Sequence, residues 1–155
     1  MRRKDREVTD AQKIREIILA CDCCRVGFAD EGGVYIVPLN FGYSEEGEQR
    51  TFYFHGAKEG KKIDLIRQTG CAGFELDTCH QLKEGDTPCS FSFRFQSVVG
   101  QGPIRLIEEA EEKREALRHI MDHYSDVHWE FTDVMLGAIS LFRLDVTELS
   151  CKEHK

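Results

Sequence analysis

Phe91, Phe93 and Phe95 alternate with Ser92, Arg94 and Gln96, the period-two pattern of a strand with one face in a core and the other toward water. A helix would scatter the three rings around its circumference, so this stretch commits the chain to a sheet. The same grain begins earlier. Residues 24–28 end at Asp30-Glu31-Gly32-Gly33, a turn signal that leads into residues 34–41, and a polar loop from Ser44 to Gln49 leads to residues 51–55. These three segments read as an antiparallel meander. Residues 71–76 give the next strand, followed by a mostly polar stretch, 77–88, that reads as a long loop. The phenylalanine strand runs on to Ile107 through Gly100 and Gly102, which imply a bulge or sharp bend. The last strand spans residues 138–146.

Three helices interrupt this pattern. Thr9 or Asp10 caps the first, whose Ile14, Ile17, Ile18 and Cys21 recur at helical spacing. Residues 61–68 form a short second helix that Gly70 ends. In the third, residues 108–124, Leu117, Ile120, Met121 and Tyr124 share a face, and glutamates fill the first turns. The helices do not alternate regularly with the strands, which disfavours a doubly wound sheet and favours a small antiparallel barrel with helices outside. The length, 155 residues, suits one domain that buries about two-thirds of its surface. Residues 1–8 and 148–155 are expected to fray as tails. Trp129, the single tryptophan, is expected to anchor the packing after the third helix.

The net charge of −7 argues against non-specific nucleic-acid binding. No apolar run approaches membrane length, and no signal segment follows the charged start, so a cytoplasmic location is expected. Seven cysteines without an export signal read as thiols, several of them small buried groups. Cys21 and Cys24 have the spacing of half a zinc site, but no second pair follows. His119 and His123 lie four apart and could seed a metal site with His128, although a charged helix face accounts for them as well. The chain has no dinucleotide fingerprint, Walker loop, serine elbow or His-Glu-x-x-His helix. One segment is unusual: His55-Gly56-Ala57-Lys58-Glu59-Gly60-Lys61-Lys62 leaves an apolar strand and enters a helix. It joins a histidine and two glycines to three lysines in an acidic protein. Helix-start N–H groups beside ammonium groups suit a phosphate; a solvated turn with surface lysines is the plainer reading.

Four pieces of the sequence carry a resemblance. They are Met1 to Glu7 at the start, Val37-Pro38-Leu39-Asn40-Phe41-Gly42-Tyr43, then Phe52-Tyr53-Phe54-His55-Gly56-Ala57 with Gly60-Lys61-Lys62, and Ser97-Val98-Val99-Gly100-Gln101-Gly102 before a strand and an acidic helix. In order and spacing they resemble the nitroimidazole-resistance (Nim) proteins, a branch of the pyridoxamine phosphate oxidase-like split β-barrels that bind FMN. The resemblance implies a six-stranded antiparallel split β-barrel with about three peripheral helices. It implies that Lys61 and Lys62 hold the FMN phosphate, Lys62 foremost. Val37, Pro38, Leu39 and Asn40 would line the isoalloxazine and ribityl chain, with Phe54 and His55 close by. Ser97 and Val98 would reach the flavin on the long strand, with Gln96 in a polar role. Such sites are built across a two-fold homodimer.

His55 matches a histidine that Nim relatives place over the flavin or a small-ligand pocket, where it would orient a group or donate a proton. A strand-end histidine bonded to phosphate or backbone is the alternative. The function implied is an FMN-dependent oxidoreductase passing electrons from a donor such as a reduced nicotinamide to a small acceptor, a nitroimidazole or other nitroaromatic among them. A flavin-binding or sensing protein without turnover, and a haem-handling split barrel, are the alternatives. The vitamin B6 oxidases carry arginine where Val37 and Pro38 stand, so pyridoxamine phosphate oxidation is not expected.

Overall fold

The computed structural model describes residues 3–155; Met1 and Arg2, part of the expected N-terminal tail and of the resembling opening segment, lie outside the described residues. The strands are β1 (Glu7–Val8), β2 (Cys24–Asp30), β3 (Gly33–Leu39), β4 (Phe41–Glu46), β5 (Gln49–Gly56), β6 (Cys71–Lys83), β7 (Ser92–Leu106), β8 (Ser140–Asp145) and β9 (Glu148–His154). The helices are α1 (Ala11–Leu19), α2 (Lys61–Thr69), α3 (Ala110–Tyr124) and α4 (Asp133–Ala138). Neighbours along the sheet run β3-β2-β6-β7-β8-β5-β4, with β9 added to β7 and β1 to β9. Every pairing is antiparallel.

Strand β7 makes the split. Its first part pairs with β6 and β9, from Ser92 to Pro103 and from Phe95 to Gln101 respectively, while Ile104 to Leu106 pairs with β8. One chain segment thus serves two half-barrels, and the bend expected at Gly100 and Gly102 lies where it passes between them. At Gly102 a side chain would run into the backbone of Asp145. Between the halves sits an aromatic core. Phe52 packs on Phe74 at 4.8 Å and on Phe41 at 5.7 Å, and Phe54 stacks on Phe142 at 5.4 Å. A second apolar cluster, including Tyr53, Ile107, Leu117, Ile120 and Leu141, lies beneath α3 and α4.

Local chemistry accounts for the helices. The Asp10 carboxylate accepts from the Lys13 N–H at 2.7 Å and caps α1, whose Ile14, Ile17 and Ile18 are buried. Gly70 ends α2 in the left-handed conformation. Among the described residues, no helix is long and apolar enough to cross a membrane.

Several expectations need correction. The stretch 77–83 is strand rather than loop: β6 continues to Lys83 through an irregularity between Thr78 and Gln81, because β7 supplies its ladder partners whatever the side chains. Residues 34–41 are two strands, broken at Asn40 where the chain crosses from one half-barrel to the other. The loop expected from Ser44 shrinks to Gly47-Glu48. Residues 148–154 do not fray. They form β9 against β7, Cys151 is 1% exposed, and Glu7 and Val8 pair with Lys152 and Cys151. A polar composition hid this strand, since its stability comes from main-chain pairing. Trp129 is 48% exposed and anchors no core, and α4 adds a fourth helix to the three expected. Cys21, Cys24 and Cys151 are buried, whereas Cys71, Cys79 and Cys89 are exposed.

Candidate functional site

The unusual segment forms a corner where β5 ends and α2 begins. Gly60 precedes α2 with φ of 123°, a conformation that suits glycine, and no side chain caps the helix. The Ile63 and Asp64 N–H groups bond to the Gly60 carbonyl, at 2.9 and 3.2 Å. The N–H groups of Lys61 and Lys62 precede the first bonded turn, so the positive end of the helix dipole faces outward here.

The two lysines differ. Lys61 is exposed and already engaged: its Nζ lies 2.5 Å from Asp30 Oδ2 and 5.2 Å from the centre of the Tyr35 ring. It ties the start of α2 to the β2–β3 hairpin and lowers the Asp30 pKa through their hydrogen bond. Lys62 is half-buried and belongs to no ion pair among the described residues. Its stem lies across Gly56, the last residue of β5: a Cβ there would stand 2.5 Å from Lys62 Cε and 3.1 Å from Nζ. His55, paired with Leu141 of β8, precedes that glycine. Its ring is exposed at the strand end, yet neighbouring atoms desolvate it in part, and this and then the Lys62 charge lower its pKa from the ordinary 6.5. A half-buried cation with no counter-ion among the described residues, beside an uncapped helix start, fits a phosphate monoester.

Strand β3 runs away from this corner as the free edge of its half-barrel, hydrogen-bonded to β2 alone. That is the edge expected of a strand holding Pro38, which has no N–H to donate. Val37 and Leu39 are half-buried against the core, while Pro38 and Asn40 are exposed. Val34 and Ile36 alternate with them at 69% and 62% exposed, leaving an uncovered apolar row. Asn40 stands at the β3–β4 break beside the Tyr124 hydroxyl, which donates to the Asp22 carbonyl at 2.9 Å and accepts from the Phe41 N–H at 3.1 Å.

The other expected residues lie elsewhere. The Phe54 ring is fully enclosed in the core, as is Val98. Gln96 donates to Glu153 of β9 at 2.6 Å, and Ser97 pairs with Asp77 and Lys152. Between β3 and β7 lie β2 and β6, joined through Pro38–Arg25, Arg25–Glu75 and Glu75–Val99. Three strand spacings, about 14 Å, therefore separate the two groups within one chain. Lys61, Lys62 and His55 come together; Gln96 and Ser97 do not join them.

Reading the sequence missed Asp30 and Tyr35, the partners of Lys61, because neither stands in the lysine segment. It also missed a cavity of about 250 Å³ beyond the corner, where Lys58, Arg67 and Lys113 surround Ser140 and Leu141. Those last two are the β8 partners of Gly56 and His55. His119 and His123 have structural surroundings: His119 stacks on Tyr53 at 5.0 Å, and His123 Nε2 lies 2.7 Å from the Cys21 carbonyl oxygen. No group of metal-ligating side chains forms among the described residues.

Comparison with known proteins bears on this corner. The sequence profile described as pyridoxamine 5'-phosphate oxidase matches residues 10–153. No curated protein sequence matches the chain. A candidate 5-nitroimidazole antibiotic resistance protein from Bacteroides thetaiotaomicron is 34% identical with a TM-score of 0.82, over 94% of this chain and 85% of that one. The flavocytochrome Anf3 of Azotobacter vinelandii superposes with a TM-score of 0.83 at 21% identity, over 100% of this chain and 72% of that one. An FAD and heme binding protein from Mycobacterium smegmatis gives 0.82 at 16% identity, over 97% and 74%. These last two share the fold. With a profile spanning nearly all of its strands and a relative alike over nearly its whole length, the chain belongs to the pyridoxamine 5'-phosphate oxidase family and is related within it to the nitroimidazole-resistance proteins.

Proposed function

We propose that this protein is an FMN-dependent oxidoreductase that takes electrons from a reduced donor, such as a nicotinamide, and passes them to a small acceptor of the nitroaromatic class. The observation that carries the reading is Lys62, a half-buried ammonium without a carboxylate partner among the described residues, next to an uncapped helix start. The Bacteroides relative, named for 5-nitroimidazole resistance, supports the acceptor class. Bound flavin supplies the hydride and electron transfer; the chain supplies the binding and the proton control.

Lys62 and the first N–H groups of α2 hold the phosphate. Lys61 serves the site indirectly, keeping α2 against the β2–β3 hairpin through Asp30 and Tyr35. The edge of β3 from Val37 to Asn40 offers an apolar surface with one amide for the ring and ribityl chain. His55, whose pKa desolvation and the Lys62 charge lower, offers a ring nitrogen that can accept a hydrogen bond. A bound phosphate offsets the Lys62 charge and lets the imidazole take up a proton, which it can then donate to an acceptor.

The separation of Gln96 and Ser97 from the β3 edge supports a two-fold homodimer in which one protomer's β7 completes the site of its partner. The uncovered row of Val34 and Ile36, with Val99 at 49% exposed, gives such a pairing apolar surface to bury. Spectroscopy of the purified protein tests the reading. The expected result is a flavin spectrum that bleaches with a donor and returns on adding a nitroaromatic, from particles sedimenting as dimers. A flavin spectrum that neither reagent alters identifies a binding protein without turnover. A Soret band without flavin would point to haem handling, in line with the names of the two more distant structural relatives.

A further inference from the structure

Gly56 has no conformational reason to be glycine. Among the described residues, four glycines adopt positive φ, namely Gly32, Gly47, Gly60 and Gly70, and Gly56 is not one of them. Its backbone is regular strand, paired with Ser140, and any residue could adopt it. What it provides is room. Side chains near the start of a helix lean back toward the N-terminus, so Lys62, second residue of α2, sends its stem back over the end of β5. A Cβ on Gly56 would collide with Lys62 Cε at 2.5 Å, whereas its next neighbour, the Phe142 ring, lies at an ordinary 3.8 Å. The collision involves only the far end of a flexible side chain, which can swing away at little cost to the fold. Contrast Gly42, where a Cβ would meet the α3 backbone at His119 and Ile120 at 2.5 Å and the helix itself would have to move.

We infer that Gly56 is a positioning residue for anion recognition: its missing side chain admits the Lys62 ammonium to the end of β5, beside His55, and so decides whether the corner recognises a phosphate. This rests on the FMN reading for the identity of the phosphate, but not for the placement of the lysine. The residue acts through Lys62 alone. Alanine at position 56 displaces the ammonium, leaves the strand and helix in place, and lifts a nearby positive charge from His55.

The test uses Gly56→Ala, Lys62→Met and the double variant in the full chain, stripped of flavin. Binding of FMN and of riboflavin, which lacks the phosphate, is measured for each; the His55 ring is titrated by NMR, and thermal melting is recorded. Losing one charge-assisted contact corresponds to roughly tenfold or more in affinity. The expected result is that Gly56→Ala weakens FMN to that extent, spares riboflavin and the melting temperature, and raises the His55 pKa as Lys62→Met does. The double variant should bind FMN no more weakly than Lys62→Met. Equal losses for FMN and riboflavin, an additive double variant or an unmoved His55 titration would overturn the inference. Should the parent bind neither flavin, the FMN reading fails by itself. The His55 titration then decides the placement: a rise common to both single variants upholds it, and no rise refutes it.

Discussion

Two regions of this protein concentrate charge, and they use it in opposite ways. On the outer face of β7 and β8, beneath α3, Arg105 and Arg143 stand directly opposite each other in the ladder, a repulsive placement on its own. Glu112 of α3 reaches between them, at 3.1 Å from Arg105 Nη1 and 3.0 Å from Arg143 Nη1. Asp145 takes the Arg143 Nε at 3.1 Å and the Thr51 hydroxyl at 3.0 Å, and the Arg143 guanidinium lies over the Tyr53 ring. Burial opposes charge on Arg143, but its bonds to Asp145 and Glu112 more than offset this and raise its pKa. At the β5–α2 corner the arrangement is open: Lys61 is paired, Lys62 has no partner among the described residues, and the pKa of a nearby histidine is lowered. A cross-linked network holds a helix on a sheet; a lone half-buried ammonium keeps its affinity for something else.

Variants in the two regions should therefore separate stability from binding. Arg143→Met leaves Glu112 with Arg105 alone and Asp145 with the Thr51 hydroxyl alone, and should cost about 2 kcal/mol, less than breaking a fully buried pair, or roughly 6 °C in melting temperature. FMN affinity of the folded variant should stay at the parent value. Lys62→Met should do the reverse, losing about 2 kcal/mol of FMN binding with no fall in melting temperature, as titration and calorimetry would register. If it melts early instead, the corner is structural and the contrast collapses. Lys61→Met, which breaks an exposed pair, should leave the melting temperature nearly unchanged and weaken FMN far less than the Lys62 change.

The smallest effect is one of pH. Because the folded state lowers the His55 pKa, the unfolded chain binds more protons as acidity rises through the ordinary histidine range. The stability tied to His55 is thus complete above pH 6.5 and is lost as pH falls toward the folded value. His55→Gln should flatten that part of the pH–stability curve, and saturating phosphate should reduce the dependence in the parent protein by offsetting Lys62.

What the sequence disclosed follows from how each feature is encoded. Strands with an apolar face were legible where burial follows a period of two, as at Ala72, Phe74 and Leu76; Phe91 and Phe93, whose alternation promised the same, are instead 49% and 54% exposed. Residues 77–83 and 148–154 were not legible, because main-chain bonds to β7 hold them and their side chains carry no such pattern. The lysine corner was visible as composition, three cations and two glycines in a row, yet the different tasks of Lys61 and Lys62 depend on Asp30 and Gly56. Only the folded chain shows which lysine each of these meets. Likewise Pro38 announced an edge, but nothing in its neighbourhood announced that Gln96 and Ser97 would lie three strands beyond it.

The seam between β1, β9 and β7 sets the order in which the molecule can be completed. Residues 95–101 present one side to β6 early in synthesis, but their other side has no ladder until residues 148–154 have emerged. Until then a long run of bare amides and carbonyls faces outward, open to pairing with any extended chain nearby. Such distant partners also make closure slow. Slow delivery of the final strand, or its loss by proteolysis, should thus be read out as misassembly and aggregation before any chemistry is compromised.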